Sequence, residues 1–293
     1  MKNVFLPKIS IGVPIYNESE NIEELIGSIL SQVGIDIHEV IFIASGCTDD
    51  SVKKVKYYVK ENPHFVLLEE ARRTGKATAI NLFLERASGD IRVILSSDII
   101  LDKNCLSHLI EPFRQEDIGM TGAHAVPVSN SIDFVSSLNR VLWGVNNQFN
   151  KKSPKLGEAV AFRATIGKIP CDTAVDESSI EAFFSARDYK LRYEERALIY
   201  NMCPTTIRDL VFQRIRIFSG HLDTKARSGY SVGSMDLKLV AQATFIYAVK
   251  NPHLLVQIFC LCALETASRM IAFCKYYFYK ELPPFIWQTY KKK

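Results

Sequence analysis

Along the first hundred residues, short apolar runs alternate with segments whose hydrophobic positions recur every three to four residues. The runs at 9–13, 40–44, 65–68 and 91–95 are brief and rich in β-branched residues, so each predicts a buried strand. Between them, 20–32 (ENIEELIGSILSQ), 50–60 (DSVKKVKYYVK) and 76–87 (KATAINLFLERA) carry the helical period. Strands alternating with helices predict βαβ units and a mostly parallel α/β sheet covered on both faces. Beyond 118 the rhythm loosens. GMTGAHAVPV and GEAVAFRATI predict strands on either side of a helix at 132–149, followed by a helix at 177–187 and a strand at 191–201. From 205 onward the pattern is helical, with breaks expected at Gly229, Gly233 and Pro252.

The last of these helical stretches, 253–280 (HLLVQIFCLCALETASRMIAFCKYYFYK), is strongly apolar and aromatic and turns basic at its end. Its cleanest apolar run is too short to predict a transmembrane span. Three readings remain: a helix packed on the rest of the protein, an interfacial helix in peripheral contact with a membrane across 235–280, or a true span. In the second, Lys275, Lys280 and Lys291-Lys292-Lys293 would lie near anionic headgroups. Glu265 and Arg269 are spaced to pair along one face. The change in composition suggests a division into residues 1–222 and a helical extension, 223–293.

With 293 residues, 47% of them hydrophobic, the chain can bury a sizeable core. A net charge of +4 is too mild to point to nucleic acid. Seven scattered cysteines without a CxxC pair argue against a disulfide framework and a structural zinc site. The first residues show no signal-peptide pattern, so the expected setting is cytoplasmic and reducing.

Chemistry concentrates where the first four predicted strands end, which is where open α/β sheets bind ligands. Strand one is followed by VPIYNESENI, strand two by IASGCTDDS, strand three by RRTGKATAIN, and strand four by Ser96-Ser97-Asp98. Each has a plain structural reading as a turn or helix cap. Glu70 and Ala77 break a Walker phosphate loop, and no GxGxxG follows strand one. Arg72, Arg73 and Lys76 still set cations beside a glycine turn, suited to a diphosphate. Four such stretches at successive strand ends describe a nucleotide cleft.

Taken in order, P-x-Y-N-E, S-G-C-T-D, R-x-G-K-A-x-A-I-N and G-D-x-x-x-x-x-S-x-D resemble glycosyltransferase family 2, over about residues 8–220. The resemblance implies a GT-A fold, a nucleotide-sugar donor, a divalent Mg²⁺ or Mn²⁺, and transfer with inversion to an acceptor hydroxyl; a C-terminal helical tail close to a membrane would fit a glycan, lipid-linked or cell-envelope acceptor. It implies that Pro14, Tyr16 and Glu18 contact the base. Ser45 stands where the family has an acidic residue for base or ribose, which leaves Asp49 as the nearest carboxylate. Arg73 and Lys76 would face the diphosphate. The family's Asp-x-Asp motif falls on Ser96-Ser97-Asp98, so the first carboxylate is missing and Asp98 remains as the metal ligand. One carboxylate suffices for such a hard cation when phosphate oxygens and water fill the other positions.

The family's acidic pair, which supplies the base, falls on Asp176 and Glu177 in TAVDESSIEAFF. The plain alternative is an Asp176 N-cap with Glu177 favoured in the first helical turn. The family's Q-x-x-R-W resembles Gln213-Arg214-Ile215-Arg216-Ile217, with isoleucine in place of the tryptophan. On a helix starting near Thr205, Asp209, Gln213 and Arg216 would share a face, with Arg214 directed elsewhere. Two other classes stay open: a binding or scaffold protein on the same fold with catalysis lost, and a nucleotidyltransferase.

Overall fold

The computed structural model describes residues 7–128 and 133–286; the expected basic terminus, Lys291 to Lys293, lies outside the described residues. The first half builds β1 (Ile9–Ile15), α1 (Ile22–Leu30), β2 (Ile37–Ser45), α2 (Ser51–Glu61), β3 (Phe65–Glu70), α3 (Lys76–Arg86) and β4 (Ile91–Leu95). All seven residues of β1 are buried, as a central strand covered on both faces requires. Next come β5 (Ile99–Leu101), α4 (Cys105–Ile110), β6 (Ile118–Val128), α5 (Phe134–Asn150), β7 (Ala159–Arg163), α6 (Asp176–Ser185) and β8 (Lys190–Met202). Then follow the α-helices α7 (Ile207–Ser228), α8 (Leu237–Lys250) and α9 (Leu255–Phe273).

One eight-stranded sheet runs in the order β3-β2-β1-β4-β7-β6-β8-β5. Pairings β1–β2, β2–β3, β1–β4 and β6–β8 are parallel, while β4–β7, β6–β7 and β5–β8 are antiparallel. The mostly parallel α/β expectation therefore holds, with antiparallel strands inserted beside β4. One face of the sheet packs Ile11, Val13 and Val93 against Leu25 and Leu106 of α1 and α4. The other packs Ile41, Ile94 and Phe162 against Phe83 of α3 and Phe184 of α6. Burying one such side chain is worth about 1.5–3 kcal/mol, so these layers dominate the stability.

Helix α7 starts on a Thr206 cap, whose hydroxyl accepts from the Asp209 amide at 3.1 Å. It runs through the expected division at 222/223 and stops at Gly229, whose φ of +73° suits glycine. A third core joins Leu138, Val141 and Leu142 of α5 to Leu210 of α7, Ala243 of α8 and Ile258 and Leu261 of α9. Each reading of the apolar terminus has a physical counterpart. Helix α9 packs inward through Ile258, Leu261, Ser268 and Ala272, yet Val256, Phe259 and Met270 stay exposed. By length and composition alone, residues Pro252–Phe278 are long and apolar enough to cross a membrane.

Candidate active site

The strand ends open into a cleft of about 290 Å³. Its first wall is a cross-linked pair of loops. Asn17, at φ +53°, accepts from the Thr48 amide at 2.8 Å, and Asp49 accepts from the Ser19 and Ser51 amides, each at 3.0 Å. Asp49 is thus committed to holding the loops together. It does not line the cleft, unlike Pro14, Tyr16, Glu18 and Ser45. Its carboxyl is held below the ordinary value: burial raises it, and the Ser51 and Ser19 hydrogen bonds outweigh that.

Gly46 lets the third loop cross close by. A Cβ there would stand 2.3 Å from the Arg73 amide nitrogen, and its φ of +64° disfavours any other residue. The crossing places the Arg73 guanidinium 3.7 Å from the Tyr16 ring centroid. The Ser45 hydroxyl accepts from the Thr74 amide at 3.1 Å, which fixes the turn into α3. Lys76, first residue of α3, does not stand apart as a diphosphate cation. Its ammonium lies 3.0 Å from Asp176 Oδ2 and 2.8 Å from Glu177 Oε1.

The acid pair opens α6, but its cap position is Val175 and makes no side-chain cap. Asp176 is therefore not the N-cap the plain reading required. Burial and the neighbouring Glu177 carboxylate push its carboxyl up to about 6, against the pull of Lys76. Glu177 moves down from its ordinary value: burial raises it, and the Lys76 ammonium, with help from Arg216, more than reverses that. Asp176 is walled in at 4% side-chain exposure, whereas Glu177 reaches the cleft at 17%.

Helix α7 forms the floor. Gly220 allows it to approach the acid pair, since a Cβ there would meet Val175 Cγ1 at 2.8 Å. Arg216 donates to the Ala174 carbonyl at 2.9 Å and lines the cleft beside Gln213. Arg214 lines it too, contrary to the expected orientation, and its guanidinium is paired with Glu265 of α9. Arg269 joins the same carboxylate at 3.3 Å, so the predicted Glu265–Arg269 pair forms as part of this larger cluster.

At the end of β4, Ser96 and Asp98 face the cleft. The Ser96 amide donates to the Glu158 carbonyl at 2.7 Å, and Glu158 lines the cleft beside them. Burial, then the Asp98 carboxylate, pushes the Glu158 carboxyl up to about 7. Serine hydroxyl and carboxylate oxygens are the donors Mg²⁺ and Mn²⁺ take, so these residues fit a divalent cation completed by phosphate oxygens. Among the described residues no group of three or more His, Cys, Asp or Glu side chains is disposed to hold a metal without them.

Of the candidate donor, metal and catalytic residues, all line the cleft except Asp49 and Arg72, and Asp209 of α7 stays outside it as well. The structure adds Glu158, Lys155, His221, several side chains of α5 and Phe285. His221 is buried with Nε2 lacking a hydrogen-bond partner, while Nδ1 lies 3.3 Å from the Ser178 hydroxyl. No local pattern marks these residues. They reach the cleft only through strand pairing and helix packing.

The family model described as glycosyl transferase family 2 matches residues 10–182. A poly-β-1,6-N-acetyl-D-glucosamine synthase of Staphylococcus aureus (strain COL) is 26% identical over 230 residues, covering 74% of this chain and 55% of that protein. The chain therefore spans about half the length of this curated relative. Among solved structures, a mannosyltransferase of Pyrobaculum calidifontis in complex with GDP-mannose and Mn²⁺ superposes with a TM-score of 0.67 at 20% identity, over 95% of this chain and 89% of that one. Glucosyl-3-phosphoglycerate synthase of Mycobacterium tuberculosis, solved with Mn²⁺, UDP and phosphoglyceric acid, gives 0.54 at 18% identity, over 74% and 78%. These two likenesses establish the GT-A architecture.

Proposed function

This chain belongs to glycosyl transferase family 2, and on that premise we propose that it moves a sugar from a nucleotide-sugar donor, with inversion, to a hydroxyl of a glycan or lipid-linked acceptor. The observation that carries the proposal is the shared cleft, where the loops after β1 to β4 meet the Asp176–Glu177 pair and α7. Tyr16, stacked under Arg73, is suited to one edge of a nucleobase, with Glu18 and Ser45 beside it. A divalent metal bound at Asp98 would neutralise the donor's diphosphate. Arg73 and Arg216 add fixed positive charge where the departing nucleoside diphosphate gathers negative charge.

Inversion requires a base on the face opposite the leaving group. Glu177 has the access for that role, and Asp176, sharing Lys76 with it, tunes its proton affinity. Lys76 balances one of the pair's two negative charges until an acceptor hydroxyl arrives. A proton passing to Glu177 then stays within the dyad, while Lys76 is released toward the new negative charge on the donor side.

We assign the exposed apolar side chains of α8 and α9, among them Phe245, Val249, Val256, Phe259 and Met270, to contact with a lipid surface at the cytoplasmic face of a membrane. Lys275 and Lys280 fit anionic headgroups there. Flotation with anionic and neutral vesicles tests this, and equal absence from both kinds of vesicle would refute it.

The test of the donor site is thermal stability with UDP, GDP, UDP-N-acetylglucosamine and GDP-mannose, each with and without Mn²⁺. Ligands that bind the native state raise Tm by linkage. A Mn²⁺-dependent rise is expected with one nucleotide class, lost in Asp98→Ala. No rise with any nucleotide would contradict it.

A further inference from the structure

The family pattern places a carboxylate at position 96, where this chain has serine. The sheet supplies one from elsewhere. Strands β4 and β7 pair antiparallel with Leu95 opposite Ala159, so the residues just beyond each, Ser96 and Glu158, become neighbours at the cleft. The Ser96 amide donates to the Glu158 carbonyl at 2.7 Å. Glu158 adopts φ +61°, a left-handed backbone that glutamate rarely takes. Its side chain lines the same cleft as Asp98.

We propose that Glu158 is the second protein carboxylate of the divalent-metal site, taking over from β7 the position lost at Ser96. The inference rests on the glycosyltransferase reading and goes beyond it, since no motif of that family points to residue 158. Its physical basis is the juxtaposition just described. Asp98 and Glu158 line one cleft beside the ends of paired strands, and the Ser96 amide, by donating to the Glu158 carbonyl, fixes the backbone that carries the glutamate. An aspartate restored at 96 would crowd Glu158, so the two positions act as alternatives.

The test measures Mn²⁺ binding by the loss of the free-ion electron paramagnetic resonance signal, with UDP or GDP present, in the full chain. Wild type is compared with Asp98→Asn, Glu158→Gln and the double variant Ser96→Asp/Glu158→Gln. Glu158→Gln is expected to weaken Mn²⁺ binding about tenfold or more. It should keep the metal-free melting temperature of wild type, which separates metal loss from misfolding. The double variant should recover most of the lost affinity. If Glu158→Gln binds Mn²⁺ as wild type does while Asp98→Asn does not, the assignment of Glu158 is overturned and the transferase reading stands. Failure of the double variant to recover affinity would overturn the exchange between positions 96 and 158. If wild type binds no Mn²⁺ with either nucleotide, the metal reading falls and this assignment with it.

Discussion

Lys76 holds two carboxylates that would otherwise repel each other inside the protein, and Lys76→Met should expose that debt. Its ammonium lies 2.8 Å from Glu177 and 3.0 Å from Asp176. At an effective dielectric constant of about 20, each contact has a gross Coulomb energy of about 5–6 kcal/mol. Most of that offsets the cost of removing three charges from water. The net loss on deleting one partner of a buried pair is about 3–5 kcal/mol. Methionine keeps the stem's packing, so the loss is electrostatic.

The sign with pH follows from the carboxyls. Without Lys76 both have native-state proton affinities raised above their unfolded values, so the native state binds more protons and its stability falls as pH rises. At pH 5, keeping a proton on one carboxyl costs only about 1.4 kcal/mol relative to an unfolded value near 4. The deficit should therefore shrink to about 1–3 kcal/mol at pH 5 and approach its full size at pH 8. Urea unfolding of both proteins at the two pH values measures it. A loss under about 1 kcal/mol at pH 8, or the same loss at both pH values, would refute the reasoning.

Three other expectations follow from single residues. Glu177→Gln should lower sugar transfer by about 10²–10⁴-fold while leaving the nucleotide-induced rise in Tm intact, and Asp176→Asn should cost less; equal transfer by Glu177→Gln and wild type would remove it as base. Glu181 is fully buried, accepts from the Leu156 amide and Tyr230 hydroxyl, and is pushed up to about 8 chiefly by burial. Wild-type stability should thus fall as pH rises from about 4.5 to 8, whereas Glu181→Gln should lack this component and exceed wild type by about 2–4 kcal/mol at pH 9; matching urea midpoints at pH 9 would contradict this. Gly46→Ala should destabilise by about 1–3 kcal/mol, because the methyl group meets the Arg73 backbone and a positive φ resists it; the denaturation midpoint reads the effect, and an unchanged value would refute it.

How much of this was legible in the sequence depended on the range of the forces involved. Strands β1 to β4 and helices α1 to α3 announce themselves through local periodicity, because each buries a face set by its own residues. Strand β5 and helix α4 are too short to carry a period and went unanticipated. They exist because β8 and α1 are there to pack on. The site divides in the same way. Asp98, Asp176 and Gln213 stand in recognisable local company. Glu158 becomes relevant only when the β4–β7 register sets it beside Ser96, and His221 only when α7 crosses the acid pair. Asp49 looked like a ligand by type and position, but two backbone amides claimed its carboxylate first.

The most direct test of the central claim is release of nucleoside diphosphate from a panel of UDP- and GDP-sugars with Mn²⁺, comparing wild type, Asp98→Asn and Glu177→Gln. Wild type should show Mn²⁺-dependent release from one donor class, and both variants should lose it. Release of pyrophosphate from a nucleoside triphosphate instead, or no diphosphate from any donor, would contradict it.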